Sequence, residues 1–220
     1  MKRKYLWVGC AVISLGLSAC GFNPFKPLPE VTESDIQQRD SQLAALKPWR
    51  ALGSLVVDSR REGTFNASFA WDANESGFDI RLIGPLGLKI YRIVEDKDSA
   101  TLIDGDNETR GATAEALLRD VIGVAIPLVE MQDWVVGLQG TATQARRDRV
   151  GRLSSMVIDR NDETRWRVNF QRYSKVDDLD LPKVILVSAE GIDITLSVHK
   201  WTKSDVPSNT RLLIPGISEL

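Results

Sequence analysis

Thr64-Phe65-Asn66-Ala67-Ser68-Phe69-Ala70-Trp71-Asp72 carries apolar side chains at every second position: Phe65, Ala67, Phe69 and Trp71, with Thr64, Asn66, Ser68 and Asp72 between them. A period of two is the repeat of a β-strand with one apolar and one wet face. Phe78, Ile80 and Leu82 resume the pattern after a turn at Asn74-Glu75-Ser76-Gly77. Near the C-terminus Trp166, Val168 and Phe170 alternate with Arg165, Arg167, Asn169 and Gln171, and Ile192, Ile194, Leu196 and Val198 with Asp193, Thr195, Ser197 and His199. One wet face and one apolar face mark an antiparallel sheet, because a doubly wound parallel sheet is buried on both faces. Weaker segments at Ala51 to Ser59, Leu88 to Glu95, Ala100 to Asp104, Val150 to Arg160 and Lys183 to Ala189 bring the expected total to about nine to eleven strands, a size at which sheets tend to curl.

Two helices are expected between the strand runs. Thr113 is placed to cap one that gathers Leu117, Leu118, Val121 and Ile122 on one face and ends at Gly123. Pro127 suits the first turn of the next, which groups Leu128, Met131, Trp134 and Val135 and stops at Gly137. These apolar faces need cover, and the apolar face of a curled sheet supplies it. Two arrangements satisfy the pattern: an ordinary α+β core, or a curled sheet whose helices partly fill its mouth and leave an apolar cavity.

The N-terminus has a different character. Lys2, Arg3 and Lys4 precede an apolar stretch from Tyr5 to Ala19, too short to span a bilayer comfortably, followed by Leu17-Ser18-Ala19-Cys20. This is the layout of a secretory signal, and its last four residues resemble the lipobox of bacterial lipoproteins, in which the cysteine becomes the acylated first residue. The competing reading is a plain signal with an incidental cysteine. Gly21 follows where an inner-membrane retention signal usually places Asp, which points to the outer membrane. Cleavage would remove Cys10, leaving no free thiol once Cys20 is acylated, and would take the net charge from −2 to −5 by removing three basic residues. That balance gives no reason to expect nucleic acid. Phe22 to Glu30, with Pro24, Pro27 and Pro29, reads as a semi-rigid extended tether. A polar helix from Ser34 to Leu46, with a possible serine cap and few apolar residues, belongs on the surface. The expected organisation is residues 1–19 as signal peptide, 20–32 as lipidated N-terminus and tether, and 33–220 as one domain.

Gly84-Pro85-Leu86-Gly87 interrupts two strands with a leucine where hairpin tips normally carry Asn-Gly or Asp-Gly. Signs of catalysis are weak. The one histidine, His199, falls on the polar face of the last strand, and no G-x-S-x-G elbow occurs. One histidine and no mature thiol leave no usual zinc constellation, and no cofactor is expected. Asp177-Asp178-Leu179-Asp180 reads as a solvated loop. A periplasmic hydrolase of unknown substrate and a purely structural or assembly lipoprotein are two readings that these residues leave open.

Across the chain the sequence resembles the LolB family of outer-membrane lipoprotein receptors. The resemblance is carried by the lipobox at Cys20, AxFAW at Ala67 to Trp71, FDIRLIGPLG from Phe78 to Gly87, and TAEALL from Thr113 to Leu118. It continues through Ile126-Pro127-Leu128, Asp133 to Gly137, Trp166-Arg167-Val168, Leu181-Pro182 and the closing segment from Ile192 to Trp201. Gln139 departs from a frequent proline, and nineteen residues follow Trp201 where relatives often end. The resemblance implies a mostly β (α+β) fold: a curled antiparallel sheet forming an unclosed β-barrel, with helices plugging an apolar cavity. It also implies a monomer that takes lipoproteins from a soluble periplasmic carrier of LolA type, holds their acyl chains and inserts them into the inner leaflet of the outer membrane. Such a protein is an outer-membrane lipoprotein that faces the periplasm and is not an enzyme. Pro85, Leu86 and Gly87 are then the membrane-insertion loop. The expected cavity lining is Phe65, Phe69, Trp71, Phe78, Ile80, Leu82, Trp166, Val168, Phe170, Ile194, Leu196 and Val198.

Overall fold

The alternating segments become neighbours in one sheet. A computed structural model describes residues 31–122, 125–160 and 164–203. The strands are β1 (Trp49–Ser59), β2 (Gly63–Ala73), β3 (Phe78–Ile83), β4 (Ile90–Glu95), β5 (Ala100–Asp104), β6 (Asn107–Gly111), β7 (Gln144–Arg147), β8 (Leu153–Asp159), β9 (Arg165–Val176), β10 (Leu179–Ala189) and β11 (Ile192–Lys203). They form a single eleven-stranded sheet in the order β6-β5-β4-β3-β2-β1-β11-β10-β9-β8-β7. Every neighbouring pair is antiparallel, and β6 and β7 end the order without pairing to each other, so the barrel is unclosed. The long β1–β11 pairing, from Trp49↔Lys203 to Ser59↔Ile192, joins the two halves of the chain.

Register puts the apolar sets on one face. Ala51 pairs with Trp71, Val57 with Phe65, and Leu55 with both Ala67 and Leu196. A single buried core extends from Leu102 on β5 to Leu153 and Met156 on β8, which requires the sheet to curl until strands near its two edges share one interior. Gly53 sits where β1 shifts register against β11, and a Cβ there would lie 2.1 Å from the Ser197 carbonyl oxygen and 2.7 Å from the Phe69 ring. Only glycine lets the strand pass this point.

The helices are α1 (Glu33–Ala44), α2 (Ala114–Ile122) and α3 (Leu128–Val136). Thr113 caps α2, its hydroxyl accepting from the Ala116 N–H at 3.2 Å, and Leu117 and Leu118 are buried. Of the other residues expected on that helix, the side chains of Val121 and Ile122 and the stop at Gly123 lie outside the described residues. In α3 the side chains of Leu128, Met131, Trp134 and Val135 are buried, and Gly137 ends the helix at φ 86°. Pro127 stands at the cap position, one residue before the expected first turn. α2 packs on β4, β5 and β6, and α3 on β10, so both fill the apolar side of the curl.

Four expectations need correction. The cap of α1 is Thr32, in a capping box with Asp35, and not Ser34. Strand β8 begins at Leu153, since Asp148 to Gly151 form a turn organised by the Asp148 carboxylate. Strand β4 begins at Ile90, because Leu88 still belongs to the preceding turn. Asp177 turns the chain at φ 51°, but Leu179 and Asp180 already belong to β10, with the Asp180 carbonyl accepting from Arg39.

Glu95 offers a test of how α2 is held. Its carboxylate accepts from the Ala114 N–H at 2.7 Å, at the start of the helix. Burial holds this carboxyl above its ordinary pKa, overriding that hydrogen bond, and Glu115 and Glu130 add to the effect. The folded state therefore binds the proton more tightly than the unfolded chain, so the group's contribution to stability falls as pH rises from about 4.5 towards the raised value. Glu95→Gln keeps an acceptor and removes the charge. Its melting temperature should match the parent near pH 4 and exceed it near pH 7. A lower value at pH 7 would show that the ionised carboxylate stabilises the helix.

Candidate functional site

Two features of the barrel stand out, an apolar interior and an apolar turn at its rim. The turn, Pro85–Gly87, links β3 to β4. Gly84 N–H donates to the Lys89 carbonyl at 2.8 Å and Gly87 N–H to the Gly84 carbonyl at 3.1 Å, which closes a tight ring around Leu86. Leu86 has φ 60° and ψ 12°, in the left-handed region, and its side chain is 93 % exposed. Left-handed geometry costs an ordinary residue roughly 1–2 kcal/mol, and an exposed leucine recovers none of it by burial. Leu88 is 81 % exposed and Ile90 54 %, and Ile83 and Val56 are also exposed. A groove of about 480 Å³ separates the turn from the outer face of β1 and β2, where Ser54, Val56, Asn66 and Ser68 form its floor. The turn thus lies along the outer wall, with Leu86 directed to solvent.

All twelve residues expected to line the interior are on its apolar face or at its margin. Phe69, Trp71, Phe78, Ile80, Trp166, Val168, Phe170, Ile194, Leu196 and Val198 are buried in one core. Phe65 and Leu82 are half-buried at the end of the curl nearest the turn, where Phe65 meets Tyr91 edge-on at 5.8 Å between centroids. The same interior includes residues that alternation did not single out: Trp49, Ile93, Leu102, Met156 and Ile185. Their strands have weak or irregular periods, so they become visible only once the register is known. Leu88 and Ile90 read as strand residues, and nothing in the pattern marked them as exposed.

Two polar features lie on the outside. Arg147 bonds Asp40 at 2.6 Å and fastens α1 to β7 beside a polar cleft of about 720 Å³. His199 lies 3.4 Å from the Ser54 hydroxyl on the outer face. Among the described residues no three His, Cys, Asp or Glu side chains converge as a metal site. No helix among them is long and apolar enough to cross a membrane. Cys20 lies outside the described residues.

An unclosed antiparallel barrel with helices inside its curl defines a class, and a solved structure shares it. A LolA superfamily protein from Nitrosomonas europaea superposes with a TM-score of 0.52 over 79 % of this chain and 94 % of its own, at 7 % identity, a likeness of fold alone. Within that class sequence is more specific. A family model described as outer membrane lipoprotein LolB matches residues 47–201, and the chain belongs to this family. The outer-membrane lipoprotein LolB of Halorhodospira halophila is 29 % identical over 166 residues, covering 74 % of this chain and 79 % of that protein. The protein of the same name from Pseudomonas aeruginosa strain LESB58 is 26 % identical over 203 residues, covering 90 % and 96 %.

Proposed function

We propose that this protein is an outer-membrane lipoprotein receptor that accepts lipoproteins from a soluble periplasmic carrier of LolA type and inserts them into the inner leaflet of the outer membrane. Cys20 is its acylated anchor, residues 20–32 its tether, and the domain from residue 33 its lipoprotein-binding part. It faces the periplasm and acts without catalysis. Membership of the LolB family supports the general role. The observation that carries the delivery step is Leu86, held fully exposed in a conformation that glycine would adopt more easily.

Energetics demand direct transfer. Burying a methylene is worth roughly 0.8 kcal/mol, so releasing a chain of about fifteen methylenes into water would cost on the order of 12 kcal/mol. A cargo of that kind must pass from one apolar interior to another and then to the bilayer. The chain has no nucleotide-binding motif, so a downhill series of affinities supplies direction. The twelve interior residues are the proposed acyl-chain contacts, reached at the half-buried margin formed by Phe65, Leu82 and Tyr91.

A transfer assay tests the reading. A purified carrier loaded with a labelled lipoprotein should lose its cargo to this protein, and the label should then appear in outer-membrane vesicles. A protein that binds neither fatty acid nor an apolar dye and takes nothing from the carrier would instead be a structural lipoprotein. Turnover of a generic ester panel would favour the hydrolase.

A further inference from the structure

Five tryptophans lie among the described residues, and four of them, Trp71, Trp134, Trp166 and Trp201, have a buried indole N–H with no acceptor among those residues. A buried indole normally finds a partner, and an unmet donor in an apolar interior is destabilising. Phenylalanine would fill much of the same space without that cost, so the concentration of unmet donors needs a reason.

Trp134 and Trp166 are the most informative pair. Each is 1 % exposed, and their rings lie 6.4 Å apart between centroids, inclined at 49°. Trp134 stands on α3, the helix inside the curl, and Trp166 on β9, the wall. Hydrocarbon could satisfy neither of these N–H donors. The ester carbonyls that join acyl chains to glycerol are acceptors, and they are the only strong ones at the apolar end of a diacylglyceryl group.

We propose that the indole N–H groups of Trp134 and Trp166 hold the ester carbonyls at the head of the bound acyl chains. The proposal rests on the reading of the interior as an acyl-chain site and adds to it a polar specificity. Because one donor belongs to the helix and the other to the wall, a ligand that reaches both sits where Trp134 meets Trp166, and α3 shifts to admit it. The pair then distinguishes an esterified diacyl group from a hydrocarbon or an alkyl ether of the same length.

The test compares 1,2-dioctanoylglycerol with its diether analogue, 1,2-dioctylglycerol. The chain starting at residue 21 serves, since it retains every described element and all of the core. The parent should prefer the diester by about tenfold, the factor expected when buried donors gain acceptors. On binding the diester, the ¹⁵N–¹H indole signals of Trp134 and Trp166 should move downfield, and on binding the diether they should not. Placing the near-isosteric β-(3-benzothienyl)alanine at residue 134 or 166 replaces N–H by sulfur. Each variant should lose most of the preference for the diester over the diether. Equal binding of both ligands by the parent, or an unchanged preference in both variants, overturns the proposal and leaves the lipid-site reading standing. Binding of neither ligand overturns both.

Discussion

Replacing Leu86 by glutamate should leave the fold intact and stop delivery to the bilayer. At 93 % exposure the side chain contributes nothing to the core, so the change in stability should stay within about 0.5 kcal/mol. Its contribution to delivery is another matter. Moving a leucine from water to an apolar phase is worth roughly 1.5–3 kcal/mol, or about tenfold to a hundredfold in occupancy of the interface, and a carboxylate resists leaving water altogether. Leu86→Glu should therefore accept cargo from the carrier at the parent's rate and insert it into vesicles at least about tenfold more slowly. Leu86→Gly sharpens the result. At φ 60° glycine relieves the left-handed strain, so this variant should be more stable by about 0.5–1 kcal/mol and should also insert poorly. Stability and delivery moving in opposite directions is an outcome that a merely connecting turn cannot produce. A large fall in melting temperature for Leu86→Glu would place the residue in the core, and normal insertion would remove its role.

Much of this architecture could be read from spacing. The period of two at Phe65 to Trp71 and at Ile192 to Val198 fixed an antiparallel sheet with one apolar face, and the cap at Thr113 and the stop at Gly137 bounded the helices between. The edges could not be read. In β6, Asn107 to Arg110 are all exposed, and β7 is the four-residue Gln-Ala-Arg-Arg, so neither strand carries an apolar period. Edge strands with wet faces have no hydrophobic signature to find. The Asp177-Asp178-Leu179-Asp180 run misled because acidic composition suggests a loop, whereas pairing of Leu179 with Val176 starts β10 directly after the turn. The α1 cap was legible and missed, since Thr32-Glu33-Ser34-Asp35 is itself a capping-box sequence. The candidate site divides in the same way. The leucine in a Gly-Pro frame was visible as an anomaly, but its left-handed backbone and the exposure of Leu88 beside it were not. The unmet indole donors lay further out of reach, because a hydrophobic pattern treats tryptophan and phenylalanine alike.

Changing Cys20 to alanine should abolish acylation, because no other residue of the N-terminal segment offers a thiol at the lipobox position. The structure adds a geometric consequence. Val31, the first described residue, packs against Gly151 in the β7–β8 turn, where a Cβ would meet its side chain at 3.0 Å. Following the antiparallel order from that turn across the sheet places it at the end of the barrel opposite the β1–β2 hairpin, towards which the Leu86 turn projects. The described chain therefore starts at one end of the barrel, and the apolar turn stands beside the middle of β1 and β2, towards the other. The turn is based beside Ser68 and Ser54, five residues along β1 from Trp49, which is roughly 17 Å. The eleven peptide units from Cys20 to Val31 reach at most about 36–40 Å. A tether of that reach would let the turn touch the same bilayer as an acylated Cys20. Cys20→Ala removes that constraint along with the lipid. Metabolic labelling with a fatty acid should show no label in the variant, and the protein should no longer sediment with phospholipid vesicles beyond the weak contribution of Leu86, Leu88 and Ile90. Label retained by the variant would overturn the lipoprotein assignment. Undiminished sedimentation without label would show that the exposed apolar turn, and not the lipid, holds the protein at the membrane.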